Sequence, residues 1–136
     1  MKIGVDIDGV LIDFEERLRY KAAIFDYTER KNTLSKSNDC YWVQDKINEY
    51  KIEFDKYYWR CPNKLENCLN ENIDIMIDDN PNTCENLSKN GVKTFYFRNI
   101  YGIQLKENQN LIEVHDWGEI YRNIKELNLE KRDISN

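Results

Sequence analysis

Two pairs of carboxylates carry the first chemical signal. Asp6 and Asp8 close a short apolar run, Ile3-Gly4-Val5-Asp6-Ile7-Asp8, with Gly9 behind them. Asp78 and Asp79 close a second, Ile73-Asp74-Ile75-Met76-Ile77-Asp78-Asp79, followed by Asn80-Pro81. Period 2 turns Asp6 and Asp8 the same way along an extended chain, and Gly9 admits a sharp turn. Two such strand ends, side by side in one parallel sheet, would gather all four acids at one point. Four carboxylates that close cannot all stay ionised without a compensating cation. Carboxylate oxygens are hard ligands that suit Mg²⁺, which makes Asp6, Asp8, Asp78 and Asp79 the candidate metal ligands. The plainer alternative is a pair of capped strand-to-helix turns.

The elements that must position these acids follow from pattern. The β-branched runs at 3–7 and 73–77 suit strands buried on both faces, and open α/β sheets do their chemistry at the carboxyl ends of such strands. Asp13-Phe14-Glu15-Glu16 has the form of a capping box and predicts a helix to about Phe25. A second helix is expected over 39–60, where Val43, Ile47, Tyr50, Phe54 and Tyr57 share one face. Its aromatic stripe serves either as core or as a platform for a base or sugar. Pro62 opens a short helix to about Asn72, and a further helix is expected from about Asn82 to Lys89, closed by Asn90-Gly91. Val92–Phe97 and Leu111–Val114 read as strands, with a loop over 98–110. Asp116-Trp117-Gly118-Glu119 is another capping box, and the last eight residues read as a solvated tail. The order predicts an α/β fold, one domain over 1–136, with a helical cap insert at 14–60.

Composition narrows the partners. A net charge of −5 with 33% charged residues argues against an extended nucleic-acid surface, while leaving room for a small anionic substrate. Cys40, Cys61, Cys68 and Cys84 lack zinc-type spacing. Acids follow Lys2–Val5 at once, so no signal peptide is expected. The apolar runs are too short to span a bilayer, no membrane partner is expected, and a cytoplasmic location is the default. Asn80 and Asn82 read as turn formers around Pro81, Arg98 as a surface arginine or a phosphate contact, and His115 as structural.

Asp6-Ile7-Asp8-Gly9-Val10 is similar to the first motif, DxDGx, of the haloacid dehalogenase superfamily, and Ile77-Asp78-Asp79-Asn80-Pro81 resembles its fourth, an apolar strand ending in an acidic pair. Lys64 resembles the third-motif lysine. Lys64-Leu65-Glu66, Ile73–Pro81 and Val114-His115-Asp116-Trp117 look most like the 5'(3')-deoxyribonucleotidase-type branch. The resemblance implies a Rossmann-like three-layer parallel sheet with a small helical cap. It also implies a Mg²⁺-dependent phosphomonoesterase acting on a nucleotide or similar small phosphate. Asp6 would be the nucleophile, forming an aspartyl-phosphate. Asp8 would serve as acid and base, with its backbone carbonyl on the metal. Lys64 would neutralise the phosphate and Asp6, Asp79 would be the principal fourth-motif ligand, and Asp78 would bind a metal water.

One departure stands out. The family's second motif, a Ser or Thr closing a strand between cap and lysine, has no counterpart, because Trp59-Arg60-Cys61-Pro62 runs almost directly into Lys64. Thr33, Ser35 and Ser37 lie in a polar stretch and substitute poorly. The resemblance therefore implies a shortened core and two functional outcomes. One is an impaired phosphatase. The other is a non-catalytic relic that binds a metal, a phosphate or a partner protein. It also leaves the first strand as a sheet edge, which either a second copy in a homodimer or a loop folded over it is expected to cover.

Overall fold

The computed structural model describes residues 1–7, 10, 51, 53–58, 61–98 and 102–135. The chain divides into two compact units, Met1–Asp6 with Asn63–Asn136, and Ile7–Pro62. Asp8, Gly9, the helix expected up to Phe25 and most of the helix expected over 39–60 lie outside the described residues.

The first unit is an α/β fold. Strands β1 (Ile3–Val5), β2 (Ile75–Asp78), β3 (Lys93–Phe97) and β4 (Leu111–Val114) form one sheet in the order β1-β2-β3-β4, every neighbouring pair parallel. Helices α1 (Lys64–Asn70), α2 (Pro81–Lys89) and α3 (Trp117–Ser135) precede or follow the strands. The chain-distant β1 pairs with β2 in the register Ile3–Ile75, Gly4–Met76 and Val5–Ile77. Gly4 permits this approach: a Cβ there would lie 2.6 Å from the Met76 sulfur.

Each helix is delimited by its own side chains. Asn63 caps α1 by accepting from the Glu66 amide at 3.1 Å, and its Nδ2 donates back to the Glu66 carboxylate at 3.3 Å. Pro62 thus precedes the cap, and the helix begins at Lys64. Asn80 caps α2 through the Thr83 amide, Pro81 fills the first helical position, and Gly91 at φ +86° ends it. Asp116 caps α3 through the Glu119 amide at 2.8 Å.

Pleat alternation sorts the core. Met76 packs with Cys68, Leu87 and Val92 under α1 and α2, and Tyr96 packs with Cys84 and Leu111 on the same face. Phe97 points the other way and meets the Trp117 ring of α3 at 6.3 Å. β2 is buried along its whole length, and Ile75 and Ile77 are among its most enclosed side chains.

One expectation is refined and one corrected. Residues 129–133 are exposed, as expected of a solvated tail, but they belong to α3, which continues to Ser135. Leu127, Glu130, Lys131 and Arg132 are good helix formers, no Gly or Pro interrupts them, and Lys131 pairs with Asp74 at 2.9 Å. In the second unit, residues 53–58 are not helical. Lys51 sits in the left-handed region at φ 53°, which a right-handed helix does not admit, and the dense aromatics beyond it lose rotamer freedom in helices. Phe54 and Tyr57 pack edge to face at 5.2 Å instead. Among the described residues no helix is long and apolar enough to cross a membrane.

Candidate functional site

The parallel register of β1 and β2 brings their carboxyl ends level, and the Asp6 amide extends the ladder by donating to the Ile77 carbonyl at 2.8 Å. Asp6 thereby stands beside Asp78 and Asp79. Carboxylate oxygens of the three lie within 4.8 Å of one another. Lys64, the first residue of α1, reaches into the group: its Nζ is 2.6 Å from Asp78 Oδ2 and 3.0 Å from Asp6 Oδ1.

The two adjacent aspartates are held differently. Asp78 is fully buried, and both its carboxylate oxygens are engaged, Oδ1 by the Asn80 amide at 2.8 Å and Oδ2 by Lys64. Its backbone carbonyl accepts from the Cys84 thiol at 3.4 Å. Asp78 is therefore spent on fixing Lys64 and the turn into α2. Asp79 is only partly buried and belongs to the same three-carboxylate group, so Asp6 and Asp79 have the freer oxygens for a cation.

Electrostatics follow the same division. Burial, then the charge of Asp6, pushes the Asp78 carboxyl above its ordinary range, with Lys64 opposing. Burial and the charges of Asp78 and Asp6 push Asp79 up to about 6. For Lys64 burial works toward the neutral form, but the charges and hydrogen bonds of Asp78 and Asp6 outweigh it, and its pKa is raised to about 12. Three carboxylates and one ammonium leave a formal charge of −2. A hard divalent cation would match that excess, and Asp6, Asp78 and Asp79 are the residues that could hold one.

Of the sequence-predicted site residues, the structure brings Asp6, Lys64, Asp78 and Asp79 together, while Asp8 lies outside the described residues. Asn80 is committed to its cap. Arg98 is engaged by Glu113 at 3.2 Å and by the Gly102 carbonyl at 3.0 Å. His115 stands between Glu113 and Glu119 at the start of α3. Sequence reasoning passed over Cys84, which burial drives toward the protonated thiol and which sits directly beneath Asp78. The available signal was a small apolar residue at the fourth position of α2, where a helix first faces its sheet.

Compared with protein-family models, with curated proteins and with solved structures, the chain matches none.

Proposed function

We propose that the chain is a Mg²⁺-dependent phosphomonoesterase of the haloacid dehalogenase type, with a shortened Rossmann-like three-layer core, acting on a nucleotide or similar small phosphate. The observation that carries this reading is the meeting of Asp6, Asp78 and Asp79 with Lys64 at the ends of two paired parallel strands. The motif resemblance supplies the assignment of roles.

Asp6 attacks phosphorus and displaces the leaving oxygen, giving an aspartyl-phosphate that water then hydrolyses. Lys64 offsets the charge of Asp6 and of the incoming phosphate, and Asp78 holds Lys64 in place. Asp8 protonates the leaving oxygen and later takes a proton from the water. Asp6 and Asp79, with the Asp8 backbone carbonyl that the motif resemblance adds, would hold Mg²⁺, whose charge would offset the repulsion between a carboxylate and a phosphate dianion. Without the second-motif hydroxyl, one donor to the transferring phosphoryl is lost, which costs on the order of a hundredfold to a thousandfold in rate. Slow turnover is therefore part of the proposal.

A second reading is favoured by that same missing motif: a relic that binds metal and phosphate without turnover. Release of inorganic phosphate from a nucleotide panel, with and without Mg²⁺, separates the two. Turnover that requires Mg²⁺ and disappears in Asp6→Asn supports the enzyme. Binding without turnover supports the relic.

A further inference from the structure

The chain's one Asn-Gly pair, Asn90-Gly91, closes α2 at the surface, and both residues are exposed. An asparagine followed by glycine carries a latent reaction. The glycine nitrogen, with no Cβ beside it to hinder the approach, attacks the side-chain carbonyl carbon of the asparagine. A C–N bond forms, and the side-chain nitrogen leaves as ammonia, carrying the proton that the glycine amide gives up. Water then opens the resulting succinimide at either carbonyl, giving aspartate or isoaspartate.

The folded cap engages the groups this reaction uses. The Gly91 amide, whose nitrogen would attack, donates to the Ser88 carbonyl at 3.2 Å. Asn90 Nδ2, the leaving nitrogen, donates to the Asn86 carbonyl at 2.8 Å and to Asn86 Oδ1 at 3.2 Å. The Asn90 backbone amide is held by the Asn86 and Leu87 carbonyls, and the Val92 amide by the Leu87 carbonyl at 3.0 Å. At Asn90 ψ is 18°, which turns the Gly91 nitrogen away from the Asn90 Cβ. Ring closure needs those two atoms almost eclipsed about the Cα–C bond. The pair therefore does not react where it stands, and α2 must first release its last turn. Leu87 and Val92 are buried beneath it with Cys68 and Met76, and their packing sets the cost of that local opening.

The product fits the cap badly. An aspartate at position 90 has no Nδ2 donor, and its carboxylate would face two acceptors of Asn86 at the end of a helix where the dipole disfavours an anion. Isoaspartate also reroutes the main chain through Cβ, just before the turn that Gly91 makes at φ +86°.

We infer that Asn90 is a deamidation site that the α2 cap holds shut, and that each conversion weakens the cap that suppressed it. The modification accumulates in chains whose α2 end opens, and it runs one way. The inference stands apart from the phosphatase reading.

The experiment incubates the full chain at mildly alkaline pH, folded in buffer and unfolded in urea, and maps aspartate and isoaspartate by peptide mass spectrometry. Hydrogen exchange of the Gly91 and Val92 amides is measured on the folded sample. In urea, residue 90 is expected to convert ahead of every other asparagine. In the folded chain its conversion should be slower by about tenfold or more, and by the same factor that protects those two amides. In Asn90→Asp the same amides should exchange about three- to tenfold faster, for one lost hydrogen bond and an acid at the negative end of a helix. Conversion of the folded chain at the urea rate, or another asparagine converting first in urea, overturns the inference. A folded rate unrelated to the protection of Gly91 and Val92 overturns the cap as its cause. Equal protection in Asn90→Asp and wild type overturns the self-weakening.

Discussion

Asp79→Asn gives the most quantitative consequence of the acid cluster. In the metal-free protein burial and two neighbouring charges raise the Asp79 carboxyl from 3.8 to about 6. The folded state then holds a proton that the unfolded state has released, so stability falls as pH rises from about 4 to 6 and stays level above. About 2 units at 1.36 kcal/mol each is a ceiling of roughly 3 kcal/mol, and the partial exposure of Asp79 lowers it to about 1–2 kcal/mol. Asparagine keeps the shape without the charge. Metal-free Asp79→Asn should therefore be more stable than wild type by about 1–2 kcal/mol at pH 7.5, and the gap should close toward pH 4.5. Urea unfolding in a chelator, repeated across that range, reads the difference directly. Added Mg²⁺ should reverse the order, because a ligand that binds only the folded state stabilises it by mass action and the variant has lost a ligand. An Asp79→Asn protein that is less stable than wild type at pH 7.5 without metal, or whose gap is independent of pH, would refute the reasoning.

Lys64→Met should destabilise by about 2–3 kcal/mol, somewhat below the cost of breaking a fully buried pair because the lysine side chain is a quarter exposed. Adding Asp78→Asn should recover part of that loss, and a double-mutant cycle with no coupling would show that the pair is not the cause. At the sheet edge, Ile3 is 40% exposed on a strand paired on one side only among the described residues. If a second copy pairs there, sedimentation should show a dimer that Ile3→Lys converts to monomer, and a wild-type monomer at all concentrations would dismiss it.

The parts legible in the sequence were those governed by neighbours in the chain. Asn80 and Asp116 open α2 and α3 by accepting from amides three residues on, and Asn90-Gly91 closes α2 through its own backbone amides, which donate to carbonyls of the last turn. The isoleucines of β2 and the aromatics of β3 declare their burial directly. What could not be read depends on long-range geometry. That Asp78, and not Asp79, is tied to Lys64 follows from where α1 delivers that lysine, 14 residues earlier. That Tyr96 and Arg98 donate to the Ile103 and Gly102 carbonyls depends on their heights at the end of β3. The length of α3 was missed because its last turns are polar, and their tie to Asp74 spans 57 residues. The spacing of Phe54 and Tyr57 fitted a helix, yet i, i+3 aromatics also pack edge to face on irregular backbone, as they do here.

The central claim is that Asp6 bonds covalently to phosphorus, and trapping that bond tests it most directly. The protein would be mixed with a nucleoside monophosphate and Mg²⁺, treated with borohydride, which reduces an acyl phosphate to the alcohol, and digested for mass spectrometry. The account predicts homoserine at position 6, dependent on both substrate and Mg²⁺, and unmodified residues at Asp78 and Asp79. Phosphate release that continues with no modification at position 6 would contradict it.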